Sequence, residues 1–211
     1  MREERVFFSC GDLRLEGLYC SGTYGRAVIC HPHPKQGGSM QNNVVEAATR
    51  AMLSCGLATL RFNFRGVGAS EGSFGGGVDE IEDVKAAVSL LETLFPYGPL
   101  ILGGYSFEAK PALLVGSVLS SASGLVGIAP PITMMDFDFL KKCMKRILVI
   151  VGDEDLYCPL KALRRLIDPP ASHVHYTVIT GADHFFVDVE DRLFSSIMPF
   201  VKGDPLITPA T

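Results

Sequence analysis

Apolar and polar positions alternate at the start of the chain. Val6 to Cys10, and then Leu13, Leu15 and Gly17-Leu18-Tyr19, flank a turn at Gly11-Asp12, which predicts an antiparallel pair of strands. Beyond this pair come short strands, most of them uninterrupted apolar runs: Ala27 to Cys30, Leu57 to Phe64, Leu100 to Leu102, Leu125 to Ala129, Ile147 to Val151 and Val174 to Ile179. Between the runs, apolar residues recur with helical spacing. Asn43 to Cys55 carries Val44, Ala47, Ala48, Ala51 and Met52, with Gly56 as a stop. A second helix sets Ile81, Val84, Ala87, Val88, Leu91 and Leu94 on one face before Pro96 and Pro99. Phe107 to Leu119, Leu160 to Ile167 and Val187 to Val201 read as further helices, and Phe137 to Met144 as a short one. Unbroken apolar strands alternating with helices predict an α/β chain: a mainly parallel central sheet with helices on both faces. Residues 1–201 read as a single domain, and 202–211, with two prolines, as a loose tail.

Composition narrows the function. The 211 residues are 47% hydrophobic and 20% charged, an ordinary globular balance. A net charge of −4 excludes the broad basic footprint of a nucleic-acid binder and argues against charge-driven membrane anchoring. Pro111 to Met135 is uncharged, but Ser117, Ser120, Ser121, Ser123 and Gly124 interrupt it, so a helix, a turn and a strand are expected there and not a membrane span. The start, Met1-Arg2-Glu3-Glu4-Arg5, mixes both charge signs before a short apolar run and is no secretory signal. Cys10, Cys20, Cys30, Cys55, Cys143 and Cys158 form no CxxC pair and are expected to be reduced thiols in a cytoplasmic protein.

In a parallel sheet, ligands bind beyond the carboxyl ends of the strands, so the residues just past each strand matter most. After Leu100-Ile101-Leu102 comes Gly103-Gly104-Tyr105-Ser106-Phe107-Glu108, a serine between strand and helix with small residues before it. Such a turn exposes a hydroxyl at a helix amino terminus, although a helix-capping serine has the same local signature. After Ile147 to Val151 comes Gly152-Asp153-Glu154-Asp155, and after Val174 to Ile179 comes Gly181-Ala182-Asp183-His184. Serine, acid and histidine thus follow in order, each past a different strand, where sheet geometry brings them to one edge.

Rival chemistries are weaker. His31-Pro32-His33 and His173-Val174-His175 are two H-x-H pairs, but no third ligand is identifiable and no metal or other cofactor is expected. His31 and His33 are expected to shape the loop after the first parallel strand, and His173 and His175 to sit at the surface. Arg61 and Arg65 read as supports of the glycine-rich turn through hydrogen bonds to carbonyls. The glycines from Gly66 to Gly77 lack phosphate-loop spacing, and Cys30 reads as a small buried hydrophobe.

Taken jointly, His31-Pro32-His33-Pro34 with Gly37-Gly38-Ser39-Met40-Gln41-Asn42, the run Arg61 to Gly72, the serine turn, Gly152 to Asp155 and Gly181 to His184 resemble the α/β-hydrolase superfamily. The likeness is greatest to its small dienelactone-hydrolase-like members. It spans roughly residues 5 to 200 and implies an α/β-hydrolase fold with Ser106 as nucleophile, Asp155 as acid and His184 as base. Asp153 is placed second as the acid. The resemblance also implies an oxyanion hole from the main-chain N–H groups of Phe107 and His33, since Pro32 and Pro34 carry none. Two residues depart from the pattern. Glu108 stands where a small residue is usual and would set a carboxylate near the site, with Lys110 as its compensation; Pro111 would remove a helical N–H unless the first turn is irregular. The gap from Pro130 to Arg146 is too short for a cap domain, so the site should be shallow and open, with Met134, Met135 and Phe185 as its apolar wall. The expectation is a serine carboxylesterase acting on small short-acyl esters. A thioesterase, lactone hydrolase or peptidase using the same residues, and a binding domain impaired by Glu108, remain open, as does homodimerisation through an edge strand.

Overall fold

Two hairpin strands, β1 (Glu4–Cys10) and β2 (Leu13–Cys20), begin a sheet of eight in the computed structural model, which describes residues 2–167 and 173–203. The others are β3 (Gly25–Cys30), β4 (Leu57–Asn63), β5 (Leu100–Tyr105), β6 (Ala122–Ile128), β7 (Arg146–Gly152) and β8 (Val174–Ile179). Their order across the sheet is β1-β2-β4-β3-β5-β6-β7-β8. β1 pairs with β2 and β2 with β4 antiparallel; every later pairing is parallel. The carboxyl ends of β5, β7 and β8 therefore share one edge.

Among the described residues, five α-helices cover the sheet: α1 (Asn43–Ser54), α2 (Glu80–Leu94), α3 (Ala109–Val118), α4 (Leu160–Leu166) and α5 (Glu190–Lys202). Every residue of β3, β4 and β5 is buried, the state expected of mainly apolar strands inside a parallel sheet, and Arg26, Thr59, Arg61 and Asn63 are buried with them. Alternate residues feed opposite layers. Ala27 and Ile29 pack with Val44, Ala48 and Met52 of α1 and Leu193, Ile197 and Phe200 of α5. Val28 and Cys30 pack with Val84, Val88 and Leu91 of α2 and Leu113 of α3. Each such fully buried aliphatic side chain contributes about 1.5–3 kcal/mol relative to exposure.

Local chemistry sets the helix ends. The Asn42 side chain accepts the Val44 N–H at 2.9 Å and caps α1. Gly203, at φ 73°, ends α5, which therefore runs through Lys202; the rest of the expected tail, 204–211, lies outside the described residues. The uncharged stretch from Pro111 resolves into α3 and β6, and no helix among the described residues is long and apolar enough to cross a membrane. Between β6 and β7 the expected short helix is a 3-10 helix, Asp138–Lys142, and no cap rises over the sheet edge among the described residues.

Candidate active site

Ser106 sits at the turn between β5 and α3. β5 ends at Tyr105, and Ser106 adopts a left-handed backbone at φ 56°, a strain of roughly 1–3 kcal/mol for an L-residue. A 3-10 turn, Ser106–Glu108, then leads into α3. The turn is tight enough that a Cβ on Gly104 would lie 2.7 Å from the Ala109 Cα, which explains the glycine. Pro111 does no harm here. It is the third residue of α3, where the N–H has no intrahelical partner.

The three residues expected from the sequence form one hydrogen-bonded chain. Ser106 Oγ lies 2.8 Å from His184 Nε2, and His184 Nδ1 lies 2.9 Å from Asp155 Oδ2. The carboxylate accepts at Nδ1, so the ring proton sits there and Nε2 is free to accept from the serine hydroxyl. The Asp155 side chain is fully buried, and its other oxygen accepts the N–H groups of Tyr157 (2.8 Å) and Cys158 (3.0 Å). Asp153 is elsewhere: it is exposed and accepts the Gly181 N–H at 2.6 Å, holding the turn after β8. A Cβ on Gly152 would meet the Ala182 carbonyl oxygen at 2.0 Å, so the acid loop and the histidine loop approach as closely as glycine permits.

Above Ser106 lies a pocket of about 210 Å³. Ser106, His184, His33, Phe107, Met134 and Phe185 line it. Met135 does not; it turns away and packs on the α2/α3 core layer, which corrects the expectation of two adjacent methionines in the wall. Sequence reasoning missed Tyr157, Gln36 and Asn42, which also line it. Their sole signal was position, on loops leaving β7 and β3. The His33 ring forms a tilted cluster with Phe74, at 4.8 Å, and Phe107, at 4.4 Å, and its Nδ1 accepts the Lys35 N–H. Burial, then Lys35, lowers its pKa.

No protein-family model matches the chain. It is 34% identical over 195 residues to the uncharacterized protein RP471 of Rickettsia prowazekii, covering 86% of this chain and 82% of that protein. A solved α/β serine hydrolase homologue from Coxiella burnetii superposes with a TM-score of 0.87 at 31% identity, over 95% of this chain and 98% of that one. The chain belongs to the α/β-hydrolase superfamily. XC6422 from Xanthomonas campestris, a serine hydrolase of this superfamily without a lid, is 28% identical with a TM-score of 0.83, over 95% of each chain.

Within this α/β hydrolase, the supporting residues correct several expectations. Glu108 does not face the pocket. It is fully buried, and neither carboxyl oxygen has a hydrogen-bond partner among the described residues. Burial first, then the Glu80 and Asp83 carboxylates, pushes its pKa up to about 9, so it is uncharged at neutral pH and cannot oppose an anion at Ser106. Lys110 forms no ion pair with it among the described residues. Arg61 and Arg65 act mainly on carboxylates and not on carbonyls. Arg61 pairs with Glu3 and Glu46 and reaches one carbonyl, that of Met40. Arg65 is held by Asp83, at 2.7 Å, and Asp79. The glycine-rich turn is instead pinned by Glu80, which accepts the N–H groups of Gly75 and Gly77.

The remaining histidines and Cys30 are structural in their contacts. His31 is fully buried, accepts the Phe64 N–H at Nε2 (3.1 Å) and donates from Nδ1 to the Pro32 carbonyl (2.6 Å). It ties the ends of β3 and β4 together, and burial pushes its pKa down to about 4. His173 and His175 are half-buried, not fully at the surface as expected. No group of three or more His, Cys, Asp or Glu side chains gathers in metal-binding geometry among the described residues. Cys30 has no exposed surface, and burial, then Glu108 and Asp83, raises its thiol pKa well above the ordinary value.

Proposed function

We propose that the chain is a serine carboxylesterase that cleaves small, short-acyl esters through an acyl-enzyme on Ser106. The observation that carries this reading is the continuous Ser106–His184–Asp155 hydrogen-bonded chain opening on a shallow pocket with no cap above it. His184 takes the Ser106 proton as the oxygen attacks the ester carbonyl. Asp155 holds the ring orientation and stabilises the imidazolium that forms. The oxyanion lies at the amino end of the turn before α3, between the main-chain N–H groups of Phe107 and His33. Loss of one such donor typically costs on the order of 10²–10³ in rate. The intermediate collapses, His184 protonates the departing alcohol, and a water repeats the sequence to free the acid.

The small pocket favours short acyl groups. About 210 Å³ is below the roughly 300–1,000 Å³ that encloses a drug-sized ligand. The reading of an impaired binding domain rested on Glu108, whose carboxyl is buried and uncharged away from the site. The test is hydrolysis of p-nitrophenyl acetate together with fluorophosphonate labelling mapped by mass spectrometry. Turnover and a label on Ser106, both lost in Ser106→Ala, are expected. A Ser106→Ala variant as active as the parent would refute the assignment.

A further inference from the structure

The ester-hydrolase reading dictates where the leaving alcohol lies, and the substrate preference inferred from that position rests on the same reading. His184 must pass its proton to the departing ester oxygen, so the first atoms of the alcohol begin beside its imidazole. Two aromatic rings stand there. The Tyr157 ring centroid is 4.7 Å from that of His184, at 62°, and the Phe185 centroid is 5.7 Å away, at 87°. Both line the pocket, yet they remain 43% and 58% exposed, and Met134 on the neighbouring loop is 68% exposed. The Thr133 N–H and hydroxyl both donate to the Tyr157 carbonyl, which binds the Met134 loop to the Tyr157 loop. Exposed large apolar side chains are ordinary when scattered; gathered around one opening they mark a surface that an apolar group covers.

The small open pocket accommodates the ester centre and a small substituent, so the larger substituent lies along this rim. A flexible alkyl chain would cover little of two exposed ring faces. A flat ring can make offset or edge contacts with both at small entropic cost. We propose that the preferred substrates are short-acyl esters of aromatic alcohols, with Tyr157 and Phe185 as the side chains that set this specificity.

Benzyl acetate and methyl phenylacetate test this directly, because they are isomers with the ring on opposite sides of the ester. Ethyl acetate supplies an alcohol of similar leaving ability without a ring. The expected result is a kcat/KM for benzyl acetate on the order of tenfold above that for methyl phenylacetate. In Tyr157→Ser/Phe185→Ser, which keeps the Tyr157 main-chain N–H on Asp155, the benzyl-to-ethyl kcat/KM ratio falls by about tenfold. Both side chains are exposed, so the variant should fold; its circular dichroism and fluorophosphonate label at Ser106 check this. An unchanged ratio, or preference for methyl phenylacetate, overturns the proposal. Labelled Ser106 with turnover of none of these esters overturns the aromatic-alcohol class alone. No label and no turnover would overturn the hydrolase reading with it.

Discussion

The Tyr105 hydroxyl donates to the main-chain carbonyl of His184 at 2.9 Å, linking the last residue of β5 to the residue that accepts from Ser106. Tyr105 is buried and its ring centroid lies 5.7 Å from that of His184, tilted by 34°. The bond runs from the residue beside the nucleophile to the backbone of the base, so it holds the two loops in register across the sheet edge. Tyr105 is thus a positioning residue. Tyr105→Phe keeps the packing but leaves a buried carbonyl unpaired, at a cost of about 1–3 kcal/mol in stability. With loop register loosened, kcat on p-nitrophenyl acetate should fall several-fold with little change in KM, measurable by steady-state kinetics. A change in KM alone would place Tyr105 in substrate binding instead.

The two aspartates after β7 should separate cleanly. Asp155→Asn keeps the shape but replaces the acceptor that fixes the His184 tautomer, and kcat should drop on the order of 10³–10⁴. Asp153→Asn touches only the turn bond to Gly181, so kcat should stay within a few-fold of the parent while stability falls by about 1 kcal/mol. Kinetics and thermal melts on both variants decide it. Equal losses of kcat would mean that the acid role is shared.

Ser106 and Asp155 were legible because they come just past the apolar runs of buried parallel strands, Ser106 directly after β5 and Asp155 a short turn after β7; His184 follows a half-buried strand interrupted by His175 and Thr177, and was legible from the chain order of serine, acid and histidine. The choice of Met134 over Met135 was not legible. The two lie in an irregular loop where no period assigns a face, and both main-chain N–H groups donate to the same Pro131 carbonyl. The direction of Glu108 was hidden for a related reason. It depends on the 3-10 turn after Ser106, where the next-but-one side chain is buried near Glu80 and Asp83 of α2 and does not line the pocket. The carboxylate partners of Arg61 and Arg65 were missed because they come from distant stretches, at Glu3, Glu46, Asp79 and Asp83.

His31 should impose an acid limb on stability. Its folded pKa is depressed to about 4, so the unfolded chain binds the extra proton first as pH falls below the ordinary imidazole value of about 6.5. Stability is therefore fully present above that value and is lost on descending towards pH 4. In His31→Gln the melting temperature should be lower at pH 7, where a bond to the Phe64 N–H is weakened, yet decline less between pH 7 and about 4. Parallel decline in the two proteins would exclude His31 as the source.

Glu108 should act with the opposite sign. Its folded pKa is raised to about 9, so the folded chain holds a proton that the unfolded chain gives up above the ordinary carboxyl value of about 4.3. Between those values the unfolded state binds fewer protons, and each rise in pH destabilises the fold, on the order of 1 kcal/mol per pH unit at most. Glu108→Gln removes the titration while keeping a neutral side chain of similar shape. Its melting temperature should match the parent near pH 4 and exceed it by a growing margin towards pH 8. Activity at neutral pH should be retained, because the uncharged carboxyl does not line the pocket. A variant that melts lower than the parent at pH 8 would mean that the ionised carboxylate is stabilised in the fold, contrary to its burial beside Glu80 and Asp83.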